Sequence, residues 1–298
     1  MTAVSNDAPG EPLGTPAPWP APAKLNLCLH IVGRRADGYH LLQTAMQFID
    51  LADELAFFQR PAGVIERLGG PEHVAAEADL TIRAARLLAA QVRATRGELP
   101  GVAIRTTKRI PLQAGLGGGS SDAATVLVAL NRLWDAGLDV EALAALGLKL
   151  GADVPLFVRG RAAWAEGVGE ILTPCNFPEP WYVVVKPVAA VSTAEIFQAP
   201  ELTRNSPVTT IRDFLAAGGR NDCVRTVCGR YPEIAEALDW LGKFGEAKLT
   251  GTGACVFVAV PDRPAAEAVV GQVPWPWRGF AARGRNGSPL MERLAAEP

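Results

Sequence analysis

The chain is poor in the residues that mark several functional classes. Only three histidines occur in 298 residues, His30, His40 and His73, and they do not fall at a zinc-ligand spacing, which leaves a structural metal site without its usual donors. The five cysteines, Cys28, Cys175, Cys223, Cys228 and Cys255, are odd in number, scattered and without a CxxC pair. They read as reduced, buried thiols of a cytosolic protein rather than a disulfide framework. No basic run occurs, and a formal charge of −2 gives no electrostatic case for nucleic acid or an anionic membrane surface. No apolar run is long enough to span a bilayer, and residues 1–20 have neither the basic start nor the apolar core of an export signal. A cytoplasmic location is therefore expected.

What is present is material for a large core. Hydrophobic residues make up 49% and charged residues 20%, and the length exceeds that of a usual single domain, so two domains sharing a cleft are expected. Residues 1–20, rich in Pro, Gly, Ala and Thr and without apolar periodicity, read as a mobile tail. Residues 21–175 form the expected N-terminal domain and 176–298 the C-terminal one, with Pro-rich residues 174–180 as the linker.

The most distinctive stretch is PLQAGLGGGSSDAA, from Pro111 to Ala124. Glycine lets the backbone take positive φ and approach a ligand with its N–H groups free. Behind it, Ala123, Val126, Leu127, Leu130 and Trp134 recur at helical spacing and predict an amphipathic helix over residues 122–134, whose N-terminus favours a phosphate. A Walker loop is excluded because Gly119 is followed by Ser120 and not by Lys. A dinucleotide fingerprint starting at Gly115 fails because its third glycine falls on Ser120. The segment is a phosphate cradle, a glycine-rich turn or a helix start capped by Ser121.

Residues 23–31 alternate as a strand, with Ala23, Leu25, Leu27, Leu29 and Ile31 on one face and Lys24, Asn26, Cys28 and His30 on the other. Lys24 and Asn26 then stand about 7 Å apart on one side, either in a site or on a solvated edge. The turn Asp37-Gly38 leads to Tyr39 and His40, which hold a ring or simply pack. Helices are expected over 79–93 and 140–150, strands over 101–107 and 182–186, and short strands joined by a glycine turn over 164–172. Further on, a helix is expected from a Ser192 cap to Phe197, another over 234–241 and a third over 265–270, with a last strand at 280–283. Asp153 stands alone in GADVPLF, as an N-cap or as a base among apolar neighbours. In LTGTGACVFVAV, residues 249–260, Gly251 and Gly253 admit a ligand or permit tight strand packing.

Three of these segments, Pro22 to Leu27 (PAKLNL), PLQAGLGGGSSDAA and LTGTGACVFV, together resemble the kinase superfamily of galactokinase, homoserine, mevalonate and phosphomevalonate kinases (GHMP kinases). Within it the likeness is to the 4-diphosphocytidyl-2-C-methyl-D-erythritol kinase family, through PAKLNLCL, RRADGYHLLQT, GLGGGSSDAA, LGADVPLFVRGRAAWAEGVGE and LTGTGACVF, and it covers nearly everything after residue 20. The resemblance implies an α+β fold of two domains with a deep cleft. It also implies transfer of the ATP γ-phosphoryl, with Mg2+, to the 2-hydroxyl of the cytidyl substrate in the non-mevalonate route to isoprenoid precursors. The partner is then that small molecule, not a nucleic acid or a membrane; another GHMP small-molecule kinase, or a nucleotide-binding protein without catalysis, is the alternative.

Carried over position by position, the resemblance makes Asp153 the base and Lys24 its cationic neighbour, whose ammonium can hydrogen-bond the hydroxyl or the transferring phosphate. Asn26 would orient the methylerythritol, Tyr39 and Phe197 would sandwich the cytosine, and His40 would hydrogen-bond its polar edge. Residues 111–121 (Pro111, Leu112, Gln113, Ala114, Gly115, Leu116, Gly117, Gly118, Gly119, Ser120 and Ser121) would hold ATP, with Ser120 or Ser121 near magnesium and Lys108 bordering the nucleotide. Asp79 stands where related enzymes often carry Asn, so it is left out of the site.

Overall fold

The computed structural model describes residues 10–69, 75–97 and 99–298. His73 and residues 1–9 of the expected tail lie outside them. β1 (Trp19–Arg34) and β2 (His40–Arg60) form a long antiparallel hairpin across the Asp37-Gly38 turn. The chain continues through β3 (Ile65–Leu68), α1 (Leu80–Arg96), β4 (Gly101–Thr107), α2 (Gly118–Leu133), α3 (Val140–Leu148) and α4 (Val154–Arg159) to the hairpin of β5 (Ala163–Glu166) and β6 (Ile171–Pro174). Residues 175–180 then lead into β7 (Trp181–Lys186), α5 (Thr193–Gln198), α6 (Ile211–Ala217), α7 (Val224–Arg230), α8 (Pro232–Leu241) and β8 (Lys248–Leu249). The last elements are β9 (Val256–Val260), α9 (Arg263–Val270), β10 (Arg278–Arg285) and α10 (Pro289–Ala296).

One continuous sheet runs through both halves in the order β3-β4-β2-β10-β7-β9-β8, with β1 and β5 also on β2 and β6 on β5. The bridge between halves is β10, which pairs with β7 along its length and with Ile49 and Phe48 of β2 at its end. One core packs α1 to α4 on β2 and β4, and a second fills the C-terminal half around Val183, Ile196, Ile234 and Val256. A third, of Ala23, Leu25, Ile49, Ala114, Leu116, Val184, Cys255 and Phe257, lies where the halves join and takes in two residues of the glycine stretch.

Three expectations change. Residues 10–20 are not a loose tail: Leu13 N donates to Phe57 O at 2.8 Å, and Thr15 Oγ1 donates to Glu297 Oε2 at 2.6 Å. The alternation of β1 is interrupted by register shifts between Pro22 and Lys24, between Asn26 and Cys28 and between Ile31 and Gly33, and Lys24, Asn26 and Cys28 are all buried, so this face is not a solvated edge. Helix α2 is not amphipathic, since every residue from Ser121 to Leu130 is buried. Its Ala123, Ala124 and Ala129 are small enough for elements to close on it from all sides.

The C-terminal helix also crosses the expected boundary. Leu290 of α10 is fully buried in the N-terminal core, and Arg132 of α2 donates to Glu297 O at 3.3 Å. Replacing Leu290 by Ala should therefore cost about 2–4 kcal/mol in urea unfolding, the range for deleting a buried leucine side chain. A loss under about 1 kcal/mol would show that this crossing is not part of the core.

Candidate active site

The glycine stretch is bound by its carbonyls. Ala254 N donates to Gln113 O at 3.3 Å, Cys255 N to Ala114 O at 3.0 Å, and Lys24 N to Leu116 O at 3.0 Å. Gly115 O accepts from Lys24 Nζ at 3.0 Å and from Thr250 Oγ1 at 3.2 Å. With four successive carbonyls held by β1 and by the turn between β8 and β9, the face of the loop left to the cleft carries N–H groups. Helix α2 begins inside the loop at Gly118, one turn earlier than its apolar spacing predicts, so the N–H groups of Gly118, Gly119 and Ser120 have no partner within the helix. The arrangement suits a phosphate.

Not every glycine here serves a ligand. A Cβ on Gly115, at φ +74, would lie 2.3 Å from Thr250 O, so this glycine exists for contact with the β8–β9 turn. A Cβ on Gly117, at φ +73, would lie 2.9 Å from the Phe157 ring and 3.2 Å from Lys24 Cε. By contrast, a Cβ on Gly119 would meet only Leu80 Cδ1, at 3.4 Å, which leaves that position open toward the cleft.

That cleft has a volume of about 680 Å³, and its walls include Lys24, Asn26, Lys108, Asp153, Phe197 and residues 111–120. Lys24 is 4% exposed. Its ammonium donates to Asn26 Oδ1 and Gly115 O and stands 3.7 Å from Asp153 Oδ2. Burial pulls the ammonium below the ordinary lysine range, and the Asp153 charge opposes that in part. Asp153 occupies the N-cap position of α4, but its side chain caps no N–H. With its carboxylate 35% exposed on the cleft beside a cation, the N-cap alternative for Asp153 is set aside. Asn26 Nδ2 donates to Thr44 Oγ1 at 2.8 Å, and that hydroxyl donates to Cys28 O at 2.5 Å. Thr44 thereby fixes the amide so that its oxygen faces Lys24.

The remaining expected residues fall in three places. Lys108 reaches the cleft wall, but its ammonium is held by Asp53 and, at 2.7 Å, by Asp122. Ser120 lines the cleft, whereas Ser121 is fully buried behind it with an unpartnered hydroxyl. His40 opens β2 and stacks on Phe197 with ring centroids 5.0 Å apart and planes at 27°. Tyr39 beside it is 64% exposed. Thus Phe197 meets His40 here, while Tyr39 makes no ring contact with Phe197, and neither Tyr39 nor His40 is among the residues that line the cleft. Asp79 caps α1 through Thr81 N and pairs with Arg67 at 3.0 Å, which accounts for the carboxylate without a ligand. Among the described residues no group of three His, Cys, Asp or Glu side chains is arranged to hold a metal. No helix among them is long and apolar enough to cross a membrane.

Residues 79–161 match the family described as GHMP kinases N terminal domain, and residues 223–277 match GHMP kinases C terminal. A 4-diphosphocytidyl-2-C-methyl-D-erythritol kinase of Halorhodospira halophila is 54% identical over 93% of this chain and 96% of its own. One from Nitrosococcus oceani is 53% identical over 93% and 97%. The chain belongs to the 4-diphosphocytidyl-2-C-methyl-D-erythritol kinase family. A crystal structure of a 4-(cytidine 5'-diphospho)-2C-methyl-D-erythritol kinase superposes with a TM-score of 0.77 at 34% identity, covering 90% of this chain and 99% of that one. Mevalonate kinase of Methanococcus jannaschii, at 15% identity and a TM-score of 0.62 over 92% of this chain and 99% of its own, shares the fold. Membership of this kinase family makes the chain an ATP-dependent phosphotransferase of two-domain α+β architecture.

Several residues in and around this cleft are not marked out by the sequence taken alone. Thr44 and Asp53 act through neighbours brought close only by the fold, while Asp122 and Thr250 lie inside PLQAGLGGGSSDAA and LTGTGACVFV at positions whose buried partners no local spacing reveals. Asp122 has a measurable consequence. It is buried with Oδ1 unpartnered, and burial pushes its carboxyl from the ordinary 3.8 up to about 7, with Lys108 opposing and Asp53 adding to the rise. A raised carboxyl binds its proton more tightly in the folded state, so its stabilising contribution is full below the unfolded value and is lost as pH rises through about 7. Asp122→Asn should raise Tm by a few degrees at about pH 8 and make little difference at or below about pH 4, with the gain growing steadily between the two. An equal shift at both pH values in thermal scans would contradict this.

Proposed function

We propose that this chain phosphorylates the 2-hydroxyl of 4-diphosphocytidyl-2-C-methyl-D-erythritol with ATP, the reaction that gives its relatives their name. The observation that carries the reading is the pair of Lys24 and Asp153, 3.7 Å apart at the lip of the glycine loop. Phosphoryl transfer asks for alignment and for charge neutralisation, with little covalent work by the protein. Asp153 accepts the proton of the substrate hydroxyl as its oxygen bonds to the γ-phosphorus and the bond to the ADP oxygen breaks. Lys24 has two N–H groups committed to Asn26 and Gly115, and the third is free to serve both Asp153 and a phosphoryl oxygen entering between them.

The other roles follow the walls of the cleft. N–H groups of residues 115–120 hold the ATP phosphates, and Lys108 borders the nucleotide as part of a cluster with Asp53 and Asp122. Oxygen donors suit Mg2+, which neutralises phosphate charge when bound. The Ser120 hydroxyl on the cleft wall fits it, whereas the buried Ser121 does not. Asn26 has one amide N–H left for the methylerythritol. Tyr39, His40 and Phe197 form the cytosine end, Tyr39 closing on the ring from its exposed position. Five free cysteines fit a reducing cytoplasm. The domain division at residues 175–176 is kept for the chain path, with α10 returned to the N-terminal domain.

A mevalonate or homoserine kinase reading has only fold-level likeness behind it, at 15% identity. Purified protein should release ADP with the cytidyl substrate and not with mevalonate. Turnover of mevalonate alone would overturn the assignment. Asp153→Asn should bind ATP nearly normally and lower kcat by roughly two to four orders of magnitude, and a near-normal kcat would remove Asp153 from the base role.

A further inference from the structure

Arg204 lies in the segment after α5, outside every motif considered above, and all five of its N–H groups meet acceptors. Nε donates to His40 Nε2 at 3.0 Å. Nη2 donates to Phe197 O at 3.0 Å and Ala199 O at 2.6 Å, while Nη1 donates to Leu202 O at 3.0 Å and Pro200 O at 3.5 Å. The guanidinium therefore ties the end of α5, which carries Phe197, to the ring that stacks on it. Two residues further on, Ser206 N donates to Ile31 O at 3.0 Å, which pins the Arg204 segment to β1.

A guanidinium has no acceptor and keeps its proton, so the imidazole nitrogen facing it must be unprotonated. Burial and the charges of Arg204 and Arg34 all hold His40 below its ordinary titration range, so the ring is neutral near pH 7. A neutral imidazole with Nε2 as acceptor carries its hydrogen on Nδ1. We propose that Arg204 is a positioning residue for base recognition: it locks His40 in the Nδ1–H form and so makes the site select a base that offers a ring acceptor. This rests on the cytidyl reading above. Cytosine presents the unprotonated N3 and the carbonyl O2, whereas uracil presents N3–H, a donor set against a donor.

The chemistry separates this role from mere anchoring. Loosening the end of α5 would weaken stacking on Phe197 for cytosine and uracil alike. Releasing Nε2 lets the hydrogen move there, turns Nδ1 into an acceptor, and removes the penalty on uracil while weakening cytosine. A polar group left facing the wrong partner is what gives large discrimination in such sites.

The test uses the whole protein with 15N-labelled histidine and needs no substrate for its first part. His40 should show an Nδ1–H, Nε2-acceptor pair of 15N shifts, and Arg204→Met should move it toward the other tautomer. Arg204→Lys, which keeps one donor for Nε2 but cannot reach four carbonyls, should retain the native tautomer. In steady-state assays Arg204→Met should raise KM for the cytidyl substrate about 10- to 100-fold and narrow its preference over the uridyl analogue by at least about 10-fold, with KM for ATP little moved. An Nε2–H form in the native protein, or an unchanged tautomer in a folded Arg204→Met variant, would overturn the proposal. So would an equal loss on both bases. Absence of turnover with the cytidyl substrate in the native protein, alongside the expected tautomer, would instead remove the substrate assignment and leave the Arg204–His40 lock standing.

Discussion

The site depends on one dehydrated ammonium. Lys24 is held where β1 passes under the glycine loop, with Asn26 Oδ1 and Gly115 O as fixed acceptors and Asp153 as the nearby charge. Removing a lysine from water is costly unless acceptors replace the lost hydration. Here each acceptor belongs to a different part of the molecule: Asn26 to the same strand, Gly115 to the loop and Asp153 to the start of α4. The same contacts that satisfy the ammonium set the spacing between loop, strand and carboxylate. On the proposed phosphoryl transfer, catalytic geometry and structural satisfaction of the cation would thus be one arrangement.

The turn between β8 and β9 is the counterpart of that arrangement. Thr250, Ala254 and Cys255 bind the loop through Gly115, Gln113 and Ala114, and Thr250 Oγ1 also accepts from Asn26 N at 3.0 Å. A turn from the C-terminal half therefore holds the loop of the N-terminal half with its carbonyls inward. This explains how three distant glycine- and polar-rich segments work as one unit, and why the third core lies directly beneath them. Gly115 is required by the approach of Thr250 O, while Gly119 keeps space on the open side.

Much of this was legible in the residues. The β1 strand, β4, the hairpin of β5 and β6, α5 with its Ser192 cap, and the pairing of Lys24 with Asn26 all follow from local periodicity or capping chemistry. Asp153 was ambiguous because an N-cap and a base look alike in sequence, and only the direction of its side chain separates them. What stayed hidden is non-local. The return of α10 to the first core, the register shifts of β1 against β2, the two carboxylates on Lys108 and the fork of Arg204 across His40 and α5 all arise from residues far apart in the chain. The burial of α2 on every side is not legible because alanine-rich spacing does not reveal how many neighbours close on a helix.

The central claim is that Lys24 is a buried ammonium balanced between burial and Asp153, and it is tested most directly by titrating that amine. Selective 15N labelling of lysine, with Lys24→Met to assign the signal, would follow its Nζ across alkaline pH. The account predicts a midpoint below the ordinary lysine value of 10.5, and a lower one still in Asp153→Asn, because burial lowers it while the Asp153 charge raises it. A midpoint at or above 10.5, or one that Asp153→Asn leaves in place, would contradict it.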